Sequence, residues 1–408
     1  MKNVLFSVFT SFVLAAFLSG CVNFGKLPSS DSYYVKAGGS DRNHGLTEDK
    51  PFRSLFKAVV MANSTSIKTI TVIGTLDLDS EQSSNTERVF LIQGVEKTPI
   101  IIRGSNSGSD PAMLSAAGSK RRVVLIKGNV SVSFENIEIS GGESTGEGGG
   151  LGIGPGSSVT LGKGSVVRNN QSKNIGGGIL IAPGGSLFLD GGKVTDNQSA
   201  VVGGGIAMAG AGSALVIKDG EISGNHAQGG GGIAVFQEGR LTLSGGMIHN
   251  NTSEIAGGGV LINQQGLFTM EGGIIRGNRT SGSGGGIALM ERSSFVLEDG
   301  EIIGNRAAEH GGGIAADNSG SINIKGGFIS ANRAAIRGGG VFTAGSFIKS
   351  AGKIYGSDMP EDAANIAPSG AAIFVFYDYG IFKTRETSAG DTLILDASAE
   401  DGWVILEE

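Results

Sequence analysis

Three arginines, Arg279, Arg306 and Arg333, stand 27 residues apart, and each directly follows an asparagine. Arg276 precedes the group and Arg337 follows it. If the chain repeats at that interval, the three guanidinium groups form a row on neighbouring strands, spaced about 5 Å apart. Like charges so placed repel. Such a row suits an anionic ligand, a glycan or lipopolysaccharide. The alternative is a set of surface arginines neutralised by Glu301, Glu309 and solvent.

Carboxylates offer a second chemistry. Glycoside hydrolysis needs two of them flanking one bond, roughly 5 to 9.5 Å apart. Asp190, Asp219, Glu271, Glu298 and Asp299 come nearest to that pattern. Their register partners include Ser244 and Lys325, and Lys218 adjoins Asp219, so the column mixes signs and reads as a solvated face. A lyase would need a base beside acids that hold calcium. His44 lies in an N-terminal loop, whereas His226, His249 and His310 occupy different places in their repeats and read as solvent-facing turn residues. No catalytic residue, metal ligand or cofactor is assigned. Enzyme clefts on repetitive scaffolds also need long insertions, and the repeat here scarcely varies in length.

The interval itself is set by eight glycine triplets, each followed by an aliphatic residue: Leu151, Ile179, Ile206, Ile233, Val260, Ile287, Ile314 and Val341. Successive spacings are 28 once and 27 six times. An aliphatic-x-x-Asn motif keeps step, ending in Asn170, Asn197, Asn225, Asn251, Asn278, Asn305 and Asn332. Two motifs in phase mean one supersecondary unit stacked repeatedly. Within a unit, short alternating apolar runs are separated by turns, and none is long enough for a typical helix. Period two places Ile233 and Val235, Leu241 and Leu243, and Ile248 on one inward face. Each such side chain contributes on the order of 1.5 to 3 kcal/mol when fully buried. The expected fold is all-β: a right-handed parallel β-helix with three short strands per rung of about 27 residues. Asparagines at a shared turn position can hydrogen-bond up and down the stack as a structural ladder, and Asn tolerates the left-handed backbone of a sharp turn. The glycines allow positive φ and close approach between turns. The outward places of the first strand, Leu180, Ala207, Ala234, Leu261, Ala288 and Ala315, offer a second candidate face, flat and apolar, for another protein.

The 72 glycines fall at a period of 27 rather than 3, which excludes collagen and low-complexity linker. A net charge of -6 with no polybasic run gives no indication of a nucleic-acid partner. Residues 1–20 read as an export signal, with Lys2 ahead of an apolar run that is too short to span a bilayer. Leu18-Ser19-Gly20-Cys21 resembles the lipobox of bacterial lipoproteins. That resemblance implies cleavage before Cys21, the chain's single cysteine, and a lipid on its thiol. Val22 in place of Asp implies the outer membrane, with the surface and periplasmic faces both open. Residues 21–32 would be the lipidated tether, 33–140 an N-terminal cap with irregular early rungs, 141–357 the regular repeats and 358–408 a C-terminal β cap. Leu55, Ala58, Val59 and Ala62 predict a short amphipathic capping helix from Ser54 to Asn63. Ser357 stands where the next asparagine is due, so the repeat is expected to stop there.

Gly-Gly-Gly-Ile paired with aliphatic-x-x-Asn resembles the repeats of polymorphic outer-membrane proteins. With the lipobox and Tyr33-Tyr34-Val35-Lys36-Ala37-Gly38-Gly39-Ser40-Asp41, the chain is similar to β-helix repeat lipoproteins of spirochaete type. The resemblance implies an adhesin or surface-interaction protein, held to the membrane by lipid on Cys21 and meeting an anionic glycan or a host protein. A polysaccharide lyase or glycoside hydrolase, and a passive structural or antigenic surface protein, are the alternatives. Oligomeric state is not readable.

Overall fold

A computed structural model describes residues 28–78, 89–94, 99–106, 111–356, 360, 362–376, 383–385 and 393–395. The export segment with Cys21, and also Ser357 and Trp403, lie outside the described residues.

Each rung turns the chain once round a shared interior, as the run after the second triplet shows. Ile179–Ile181 forms the first strand, and Ser186–Thr195 runs through the second and third with a bulge at Asp190. Gln198–Ser199 then adds a two-residue fourth strand, beyond the three strands the sequence predicts. Every piece pairs in parallel with its counterpart one rung on: Ile179 with Ile206, Leu187 with Leu215, Val194 with Ile222 and Gln198 with His226. Among the described residues the pairings make sheets of 22, 12 and 8 strands. The result is a right-handed parallel β-helix of about 9 turns.

The alternation places one aliphatic column above another inside the coil. Ile179, Ile206, Ile233, Val260, Ile287, Ile314 and Val341 are all fully buried. The second-strand column brings Phe268 and Phe295 together at 5.0 Å between ring centres. A single rung could not bury these side chains, since their contacts lie above and below.

The glycine triplet divides its work. Its first member carries the positive φ, for example Gly176 at 66° and Gly203 at 66°. The second and third are needed for close approach: a Cβ on Gly177 would lie 2.4 Å from the Gly204 carbonyl oxygen, and one on Gly178 2.7 Å from that of Gly205. The ladder asparagines themselves are not left-handed, contrary to the expectation. The left-handed residue is the one before, in Asn169, Asp196, Gly224, Asn250, Gly277, Gly304 and Ala331. That neighbour makes the corner and frees the asparagine to point inward.

At the first end, helix α1 (Leu55–Ser64) is capped by Ser54, whose hydroxyl accepts from the Lys57 N–H at 3.2 Å. Leu55, Ala58, Val59 and Ala62 join the core, so the helix closes the open rung. At the other end the repeat does not stop where Ser357 suggested. Asn365 continues the ladder 33 residues after Asn332, and Ile373 pairs in parallel with Val341. The insertion between Ile354 and Asn365 hides this rung from a fixed-period reading. Antiparallel strands then close the stack, Lys383–Arg385 on Ile373–Val375 and Leu393–Leu395 on Ser346–Lys349. Lys349 takes an inward place, in register with Ile324, and is fully buried there.

Candidate functional site

Just after each ladder asparagine the chain crosses from interior to surface. Arg279, Arg306 and Arg333 lie in direct register on adjacent strands of the eight-stranded sheet, and all three are exposed. The next residues, Thr280, Ala307 and Ala334, turn back inward and are buried. Small residues border the row on both sides: Gly277, Gly304 and Ala331 at the corner, and Ser281, Ala308 and Ala335 beyond. The guanidinium groups therefore stand as a crest on an open strip.

Among the described residues, Arg276, Arg279, Arg306 and Arg333 form no ion pair. Neither carboxylate expected to neutralise them does so. Glu309 accepts from the Ser283 hydroxyl at 3.2 Å, while Glu301 sits on a third strand in register with Ile274 and Phe328. Unit charges about 5 Å apart in water repel by about 1 kcal/mol per pair. The fold accepts this cost over three rungs. Arg276 lies beside the row rather than in it, on a third strand between His249 and Ile303. Arg337 is separate: it sits 5.0 Å over the Phe374 ring.

Elsewhere on the wall, some charges are paired between rungs. Arg168 meets Glu138 of the preceding rung at 2.9 Å. Glu221 meets Lys193 at 2.8 Å and His249 at 2.9 Å, linking three rungs. The hydrogen bond from Lys193 is the main reason that the Glu221 carboxyl is lowered to about 2, with Ser223 and the charge of His249 adding to it against the opposing effect of burial. Sequence reading missed this group because 28 residues separate Glu221 from His249. Writing out the outward columns, like the inward ones, would have placed them on adjacent rungs.

Three of the five acids near the second turn hold turns or pair with lysine; Asp190 and Glu271 do neither among the described residues. Asp219 and Asp299 accept from the N–H groups of Gly220 and Gly300 at 2.8 Å, and Glu298 pairs with Lys325 at 2.9 Å. Of the histidines, His226 bonds Thr252 through Nδ1 at 2.9 Å. His310 is half-buried and stacks on Phe342 at 4.5 Å, and burial, then the nearby Arg337, hold its imidazole below the ordinary range against a smaller effect of Glu309.

The second candidate face is overturned. Leu180, Ala207, Ala234, Leu261, Ala288 and Ala315 are at most 7% exposed. Leu261 and Ala288 pack with Val202 and Ala256 from the loops leading into the triplets, and with Phe236 and Met290 at the far end of the first strand. Small residues stand there because a loop covers them. They offer no docking surface.

Two overlapping segments, residues 114–325 and 204–357, match the family described as right handed beta helix region. The matches span more than half of the chain, and the chain belongs to that family. No curated protein sequence matches it. The fold is common to adhesins, lyases and hydrolases, so function has to be argued from the site.

Proposed function

We propose that this is a lipid-anchored protein of the outer membrane, of the spirochaete β-helix lipoprotein type, that acts as an adhesin by binding an anionic glycan along Arg279, Arg306 and Arg333. The observation that carries the reading is a row of three exposed, register-matched arginines without a carboxylate partner, whereas Arg168, Lys193 and Lys325 each meet a glutamate on a neighbouring rung. A rigid stack fixes the spacing of the cations, so a linear polyanion meets them without reorganisation of the protein. The anchor rests on Leu18-Ser19-Gly20-Cys21.

Retention on a sulfated polysaccharide resin tests the row. The triple change of Arg279, Arg306 and Arg333 to Ala is expected to abolish retention at physiological salt, and the matching triple change to Lys to keep part of it, because charge survives but the planar fork does not. Elution of the alanine variant at the wild-type salt concentration would refute the reading. For the anchor, Cys21→Ser should move the protein from the membrane to the soluble fraction of cells.

A further inference from the structure

At the opposite end of the same edge lies a cavity of about 360 Å³ that the arginine row does not touch. Its lining includes Lys120, Glu143, Thr145, Gln171, Lys173 and Gln198. Three of these come from successive rungs in register: Glu143 beside Gln171, and Gln171 beside Gln198. We infer that this cavity is a binding site for a single sugar-acid unit, a polyhydroxylated ring that bears one carboxylate.

Within the protein, the side chains of these six residues have no hydrogen-bond or ion-pair partner among the described residues. The two serines of the lining differ. Ser144 and Ser172 spend their hydroxyls on Glu147 and Gly146 carbonyl oxygens, at 3.2 and 2.6 Å, and so build the walls. The free groups therefore define the ligand. Two amides, each able to donate and accept, with a carboxylate and a hydroxyl, match a ring of hydroxyl groups, which also donate and accept. Two ammonium groups against one carboxylate leave a net positive charge, and that calls for one acidic group on the ligand. The lining contains no aromatic ring and Ala200 is its one apolar side chain, so a nucleobase or an apolar amino acid would find no surface to pack on. The volume is that of a small-ligand site rather than of a polymer groove.

This site stands independently of the arginine row. From Gln198 to Arg279 the edge passes through His226 and Thr252, three rungs or about 15 Å. Either site can therefore be removed alone. Calorimetric titration of the full chain, purified in detergent, with glucuronic acid should show saturable binding. Glucose, which lacks the carboxylate, and acetate, which lacks the hydroxyls, should each bind at least about tenfold more weakly. Joint substitution Gln171→Ala and Gln198→Ala should cost about tenfold or more, while the Arg279, Arg306 and Arg333 alanine variant should titrate like the wild type. Both glutamines are exposed, so the variant keeps its fold. Absence of saturable glucuronate binding would overturn the site, as would acetate binding as tightly as glucuronate. Binding lost in the arginine variant and kept in the glutamine variant would overturn it too, and would leave the arginine row standing.

Discussion

Two columns run side by side down the molecule, one residue apart in the chain and on opposite sides of its wall. Inside stand Asn170, Asn197, Asn225, Asn251, Asn278, Asn305, Asn332 and Asn365, the same side chain at each rung and almost fully buried. Outside stand Gln171, Gln198, His226, Thr252, Arg279, Arg306 and Arg333, whose character changes from amide to guanidinium along the axis. The inner amide has to donate and accept at once. The Asn197 carbonyl oxygen accepts from the backbone and side-chain nitrogens of Asn170 at 3.1 and 3.0 Å, and its Nδ2 donates to Val167, Thr195 and Asn225 at 3.0 Å each. No other short side chain presents both groups in that geometry. On the outer side the backbone ladder is complete without the side chain, so the residue there is free to answer to solvent or to a ligand.

The sharpest way to break this contrast is to truncate neighbours. Asn197→Ala removes several buried hydrogen bonds at once and leaves their partners unsatisfied, so it should cost about 3 to 5 kcal/mol. Gln198→Ala, one residue away, should stay within about 0.5 kcal/mol. Chemical denaturation of both variants decides the matter: equal losses would mean that the inner column is not what holds the rungs in register.

That inner column was legible because a period of 26 to 28 carries it from Asn170 to Asn332, and the fold class followed from it. What escaped had physical causes. The left-handed corner was assigned to the asparagine, although the preceding places hold Asn169, Asp196, Gly224, Asn250, Gly277 and Gly304, residue types that tolerate that backbone. The last rung escaped because Gly370-Ala371-Ala372 replaces the triplet. In earlier rungs a Cβ at the second and third places would strike the carbonyl oxygens of the next rung. Past Ile373 the stack turns to antiparallel strands, so alanine is admitted there while Gly370 keeps its φ of 64°. The outward face of the first strand was misread for want of the loop above it, which no period reveals. Of the site, the arginine register was readable, whereas its lack of carboxylate partners and the cavity beside Gln171 needed the third dimension.

A second test compares paired with unpaired charge on the outer wall. Glu221 has a carboxyl pKa of about 2, below its ordinary 4.5, chiefly because Lys193 hydrogen-bonds to it. A lowered carboxylate contributes stability above its unfolded pKa, and the contribution disappears as pH falls from about 4.5 to about 2. Solvent screening reduces the value of this partly exposed group. Glu221→Gln should therefore cost about 1 kcal/mol at neutral pH and almost nothing near pH 2. A loss that does not depend on pH would assign the effect to packing instead.

The smallest expected effect is the most telling about the arginine row. Arg306 has a like charge on each side, whereas Arg279 and Arg333 have one each within the row. If the row is held for a ligand, removing its middle member should relieve repulsion. Arg306→Ala is then expected to raise stability by up to about 0.5 kcal/mol at low salt, an increment that fades as salt screens the charges. Polyanion binding should weaken in the same variant. Thr252 precedes Arg279 in the column, so Thr252→Arg extends the row to a fourth cation and should do the reverse, with tighter binding and slightly lower stability at low salt. Opposite signs in the two measurements separate a row kept for binding from arginines that merely solubilise the wall. In the latter case neither substitution would alter retention on the polyanion.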